Sequence, residues 1–153
     1  MMMKKVLIVC LGNICRSPTA EAVLKAKAAQ RGIHIEIDSA GTINNHQGNG
    51  PDKRAKAAGE LRGYSFEGIF SRPINRHDFE YFDYILAADK QNKADLLAQC
   101  PEQYQHKVAL FLSFSDVNES EIPDPYYGGT QGFELVLDLL EKASDQLLDK
   151  IDS

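Results

Sequence analysis

A cysteine and an arginine six positions apart, Cys10 and Arg16, bracket the short stretch Leu11-Gly12-Asn13-Ile14-Cys15 and are followed by Ser17 and Pro18. A thiol beside a guanidinium and a helix N-terminus is favoured as its thiolate, the nucleophilic form. Arg16 offers a planar fork that matches two oxygens of a phosphoryl group. Gly12 permits a tight backbone path and keeps side chains off an anion. Asn13 tolerates unusual dihedral angles and can bond within the turn, holding its amides inward. Ser17 could donate to the sulfur, stabilising it as thiolate or as leaving group. An isolated cysteine more often serves as a small buried hydrophobe; the company of Cys10 argues for a nucleophile in an anion cradle.

Covalent phosphoryl chemistry also needs an acid to protonate the departing oxygen. Asp124 is the best candidate, because Pro123 and Pro125 stiffen the backbone that presents it. The same Asp-Pro pair suits a plain turn. Tyr126 and Tyr127 could wall a slot for an aromatic substrate, or pack on the surface as loop tyrosines.

These residues need a scaffold. Val6-Leu7-Ile8-Val9 reads as a buried strand that delivers Cys10 at its carboxyl end. A helix is predicted over 18–31, with Ser17 as N-cap, Pro18 at its first position and Glu21 in its first turn. Its inner face carries Ala20, Val23, Leu24 and Ala28, and Gly32 ends it. The alternation over 33–38 predicts a half-buried strand, with a turn at Ser39-Ala40-Gly41-Thr42 and a loop over 43–51. Asp52 caps a helix through Leu61 that turns Ala55, Ala58 and Leu61 inward. Asn75 caps a short helical turn to Phe79, residues 82–88 form a third strand, and Asp89 caps a helix reaching Gln99. A fourth strand is predicted over 107–112. The last segment puts Phe133, Val136, Leu137, Leu140, Leu147, Leu148 and Ile151 on one helical stripe. This order predicts a single α/β domain over 1–153, a central four-stranded parallel sheet with helices on both faces and the phosphate-binding loop after strand 1. Such sheets bind ligands beyond the carboxyl ends of their strands, where Cys10 sits.

With 153 residues and a net charge of −5, the chain is long enough for a real core and carries no Lys/Arg-rich run, which argues against nucleic-acid binding. The apolar run at the N-terminus is too short for a signal peptide, and no stretch approaches membrane-spanning length, so a cytoplasmic protein is expected. Three cysteines do not make a disulfide framework. No metal-ligand spacing occurs, so neither metal nor cofactor is implied. His34, His46, His77 and His106 are scattered singly and read as surface residues.

The run Cys10-Leu11-Gly12-Asn13-Ile14-Cys15-Arg16-Ser17-Pro18, paired with Asp124-Pro125-Tyr126-Tyr127-Gly128, resembles the low-molecular-weight protein tyrosine phosphatases. The similarity extends through Asp38-Ser39-Ala40-Gly41-Thr42, Gly48 with Pro51-Asp52, and Phe82-Asp83-Tyr84-Ile85-Leu86, and so covers essentially the whole chain. The resemblance implies metal-free hydrolysis of a phosphotyrosine protein or small aryl phosphate in two steps. Cys10 would form a phosphocysteine, Arg16 and the loop amides would bind the phosphoryl oxygens, and Asp124 would serve as acid and then base. It also implies a loop-supporting network of Asn13, Ser17 and Ser39, and a reversible disulfide between Cys10 and Cys15 as protection against over-oxidation. Cys100 matches no motif position and is read as structural. Two positions depart from the family pattern. Asn45 stands where an aromatic wall of the substrate slot is common, which would weaken stacking by about 1 kcal/mol. No histidine lies near Ile69, where one often joins the loop network.

Three other readings share parts of this pattern. Phosphoarginine phosphatases use the same scaffold but carry threonine before the second cysteine, where this chain has Ile14. Thioredoxin-coupled arsenate reductases need two further cysteines around the third strand and following helix, and residues 87–98 contain none. A catalytically silent redox or phosphate-binding module would not need Cys10, Arg16 and Asp124 together. A monomer or weak homo-oligomer is expected.

Overall fold

The computed structural model describes residues 3–125 and 129–152. Strand β1 (Lys4–Cys10) lies inside a four-stranded, all-parallel sheet. It pairs with β2 (Ile35–Gly41) on one side and β3 (Tyr84–Ala87) on the other, and β4 (Val108–Leu110) flanks β3. Both faces of β1 are covered, which is why its aliphatic run is continuous rather than alternating. Val6 and Ile8 join a core with α1 (Arg16–Gln30) and α5 (Gly129–Asp152), beside which α2 (Lys53–Leu61) packs. Leu7 and Val9 join a second core with Phe79 of α3 (Arg76–Tyr81) and Leu96 of α4 (Lys90–Gln99). All seven residues of the predicted α5 stripe are buried.

The chain leaves β1 toward β2, then crosses back to β3 on the opposite side. Strand order therefore reverses at β1, and the crevice this creates opens at Cys10. Asp52, Asn75 and Asp89 cap α2, α3 and α4 as predicted, each accepting from backbone N–H groups of the first turn.

Several elements differ from expectation for identifiable reasons. Helix α1 begins at Arg16, and Ser17 is inside it instead of capping it, because its hydroxyl is engaged with Cys10. Because α1 starts earlier, Glu21 falls beyond its first turn, where its side chain is buried. Ser39, Ala40 and Gly41 stay in β2, paired with Ile8, Val9 and Cys10, because the ladder outweighs their turn propensity. Leu61 is 87% exposed, and Gly59 takes the inner position of α2 against the Phe66 ring. Strands β3 and β4 are shorter than predicted. Beyond β4, residues Phe111–Phe114 wind into a 3-10 turn that seats Phe111 and Leu112 in the core with α5. A second 3-10 turn, Glu102–Lys107, precedes β4.

One glycine controls how tightly β2 approaches the turn after β1. A Cβ on Gly41 would lie 2.7 Å from the Leu11 carbonyl oxygen and 3.1 Å from that of Ile43. Backbone atoms cannot step aside as a flexible side chain can. Gly41→Ala should therefore cost about 1–3 kcal/mol in urea unfolding. Leu61→Ser, at an exposed position, should stay within about 0.5 kcal/mol. Equal stability of the two variants would refute this account of Gly41.

Candidate active site

The turn after β1 is shaped by where its carbonyls point. The Cys10 carbonyl accepts from Thr42 N–H at 3.0 Å and that of Leu11 from Ile43 N–H at 3.1 Å. The Gly12 carbonyl accepts from the Ser71 hydroxyl at 2.9 Å. That of Ile14 accepts from Asp52 N–H at 2.6 Å, and that of Cys15 from the Thr19 hydroxyl at 2.7 Å. All these donors lie outside the turn. The peptides are trans, so the N–H of each of these units points away from those donors. Convergent amides at the start of α1 make an anion site.

Asn13 makes that path possible. Its φ is +55°, and it is the sole non-glycine residue with positive φ among the described residues. Its side-chain carbonyl accepts from Arg72 N–H at 3.0 Å, which fixes the orientation of the amide, since a backbone N–H can only donate. The Asn13 NH₂ then donates to the Ser17 hydroxyl at 2.8 Å and to the Ser39 hydroxyl at 2.9 Å. Ser17 also shares a hydrogen bond with Cys10 Sγ, 3.0 Å away, in which the hydroxyl is the donor to a thiolate, since a thiolate has no proton to give. Ser39 passes its own proton to Glu21 Oε1 at 2.6 Å. From Arg72 through Asn13 and Ser39 to Glu21 the polarity of this buried chain is set.

The guanidinium of Arg16 is aimed by two bonds from Nη1, to Asp89 Oδ2 and to the Ile122 carbonyl, each 2.9 Å. Its remaining edge, Nε with Nη2, holds no partner among the described residues, and Arg16 lines the cleft. Cys10, Leu11, Gly12, Ile14, Cys15, Asn45 and Asp124 line the same cleft of about 280 Å³. Asn13, Ser17 and Ser39 lie buried behind it. The structure therefore unites every described residue that the sequence nominated; Tyr126 and Tyr127 lie outside the described residues. Cys15 is buried, and this desolvation, reinforced by Asp52, pushes its thiol up to about 12. Beside Cys10 it stays a neutral thiol near neutral pH.

Sequence reading missed four contributors. His46, expected on the surface, lines the cleft, and a Cβ on Gly12 would come within 2.9 Å of its ring. Ile43 lines it too. Arg72 fixes Asn13 through its backbone, while its guanidinium is clamped by Asp38 and Asp78 at 3.1 and 2.9 Å. Glu21 anchors the far end of the hydroxyl chain. None carries a local signal, except that a glutamate amid the apolar face of α1 is unusual. Asp89 has two uses: Oδ1 caps α4 while Oδ2 holds Arg16.

The arrangement offers a thiol hydrogen-bonded to a hydroxyl, the backbone of a tight loop at a helix start, a guanidinium edge and a carboxyl group in one cleft. The profile of the family described as "Low molecular weight phosphotyrosine protein phosphatase" matches residues 5–153. The chain is 38% identical over 152 residues to the low molecular weight protein-tyrosine-phosphatase YfkJ of Bacillus subtilis, covering 97% of this chain and 96% of the relative. It is 38% identical over 151 residues to the low molecular weight phosphotyrosine protein phosphatase of Rattus norvegicus, covering 96% and 95%. The crystal structure of a protein tyrosine phosphatase from Entamoeba histolytica with Hepes in its active site superposes with a TM-score of 0.93 at 45% identity, covering 97% of each chain. Loop chemistry, topology and whole-length similarity agree: this chain belongs to the low molecular weight phosphotyrosine protein phosphatases, enzymes that hydrolyse phosphotyrosine.

Proposed function

We propose that Cys10, Arg16 and Asp124 carry the hydrolysis, on the observation that they line one cleft together with Leu11, Gly12, Ile14 and Cys15 of the loop. The Cys10 thiolate attacks phosphorus while the bond from phosphorus to the tyrosyl oxygen breaks, and the Asp124 carboxyl gives that oxygen its proton. The phosphoryl oxygens rest on the amides of the loop and on the free edge of Arg16, where charge spreads in the transition state. Asp124, now ionised, takes a proton from water as the water oxygen attacks phosphorus. The S–P bond breaks, and the Ser17 hydroxyl receives the departing sulfur. Asn13 and Ser39 hold Ser17 in that orientation. The reading needs neither metal nor cofactor.

The substrate is a phosphotyrosine protein or a small aryl phosphate, and the slot walls are Ile43, Asn45 and His46, with Tyr126 and Tyr127 as further wall candidates. The His46 ring supplies flat surface that Asn45 lacks. Cys15 acts as redox partner: peroxide oxidises the Cys10 thiolate to a sulfenate, and the Cys15 thiol displaces hydroxide from it to form a disulfide. Among the described residues no helix is long and apolar enough to cross a membrane. A single phosphatase domain over 1–153, working in the cytoplasm as a monomer or weak homo-oligomer without nucleic acid, completes the reading.

Cys10→Ser should lose at least about 10⁴-fold in turnover of an aryl phosphate, with or without a chelator. Wild-type turnover no better than that of Cys10→Ser would overturn the assignment. Asp124→Ala should slow poor leaving groups by about 10²–10⁴-fold and good ones far less; equal slowing would remove Asp124 as the acid.

The slot is tested with a panel of phosphotyrosine peptides and phosphoarginine. His46→Ala should cost about 1 kcal/mol in kcat/KM on aryl substrates, and Asn45→Trp should gain a similar amount. No change in either would discard these walls.

The third test concerns the thiols. Burial raises both Cys15 and Cys100, so near neutral pH iodoacetate should label Cys10 alone. Activity lost to peroxide should return with dithiothreitol, and Cys15→Ser should lose much of that recovery. Undiminished recovery would retire the redox role.

A further inference from the structure

The hydroxyl chain behind Cys10 does not stop at Ser39. Glu21 is 3% exposed, deep in the inner side of α1. One of its oxygens accepts the Ser39 proton, and the other meets Lys25 Nζ at 2.5 Å, one helical turn along. The Lys25 side chain is 47% exposed, so the pair spans from solvent to the support of the phosphate loop. Such a placement is more than a solvated i,i+4 pair, because one partner is buried and also hydrogen-bonded to the network.

We propose that Lys25 is a positioning residue for the nucleophile: by keeping Glu21 a carboxylate, it fixes through Ser39, Asn13 and Ser17 the hydroxyl proton aimed at Cys10. The proposal rests on Cys10 being the nucleophile. Burial raises the Glu21 carboxyl, and the nearby charge of Asp38 on β2 pushes the same way, while Lys25 and the Ser39 bond oppose both. Asp38 is itself paired with Arg72. Without Lys25, Glu21 would take up a proton as pH falls toward the acid range. A neutral carboxyl accepts more weakly than a carboxylate, so the Ser39 bond to Oε1 would weaken, and with it the hold of Ser39 on the Asn13 amide that is aimed at Ser17.

The test uses Lys25→Met, Lys25→Arg, Glu21→Gln and the double variant Glu21→Gln/Lys25→Met, each checked by thermal unfolding. Two quantities are followed against pH: kcat and KM on an aryl phosphate, and the rate of Cys10 alkylation by iodoacetate. Lys25→Met should lower kcat about three- to tenfold on the acidic side, with KM within about twofold and the loss fading as rising pH ionises Glu21. Cys10 alkylation should slow over the same pH range. Lys25→Arg should restore both profiles. In the Glu21→Gln background Lys25→Met should add nothing, since its effect runs through Glu21.

A folded Lys25→Met whose profiles superimpose on wild type, or whose loss is independent of pH, would overturn the proposal. So would additive losses in the double variant. Should Glu21→Gln fail to fold, the Lys25→Met and Lys25→Arg profiles decide alone. Failure of iodoacetate to label Cys10 in the wild-type protein would instead overturn the underlying assignment of the nucleophile.

Discussion

The left-handed backbone of Asn13 is the constraint on which the site depends. A side chain with φ of +55° is sterically costly unless the surroundings hold it there. Here one amide group does so by reaching three elements: the segment at Arg72, the end of β2 at Ser39 and the first turn of α1 at Ser17. Each of those contacts also performs a second task. Arg72 fixes the orientation of the amide, Ser17 meets the sulfur, and Ser39 leads to Glu21. The strain is localised in the residue best able to satisfy it with its own side chain.

Around that point the protein reconciles a global and a local charge. Its formal net charge is −5, yet the loop is built to hold an anion. The local positive character comes from backbone amides and one guanidinium edge, both fixed before a substrate arrives. Many of the acidic side chains are paired away from the loop. On α5, Glu134, Asp138 and Glu141 gather around Arg62, while Asp145 and Asp149 meet Arg31. Asp89, close to the site, is occupied in aiming Arg16.

Much of this was legible in the chain. The β1 run and the α5 stripe are strong periodic signals, and both came out buried as read. The caps Asp52, Asn75 and Asp89 are local chemistry and behaved locally. Where local reading failed, long-range partners had intervened. Ser17 looks like an N-cap until Cys10 and Asn13 claim its hydroxyl. Ser39-Ala40-Gly41 looks like a turn until the ladder to β1 extends through it. Leu61 looks like a core residue of α2, but Phe66, outside the helix, settles which side of α2 packs inward.

The sequence by itself marked the residues proposed to react. Cys10, Gly12, Asn13, Arg16 and Ser17 lie within one turn, where spacing dictates geometry, and Asp124 is marked by the prolines beside it. Only the tertiary structure decided how that set is held. Arg72, Glu21, His46 and the second use of Asp89 come from distant segments, and each is an ordinary polar residue in its own neighbourhood. Their roles arise because parallel strands bring the ends of β1, β2 and β3 to one edge, so that side chains far apart in sequence meet there. Hydrogen-bond direction is settled by such meetings, and no local pattern can encode it.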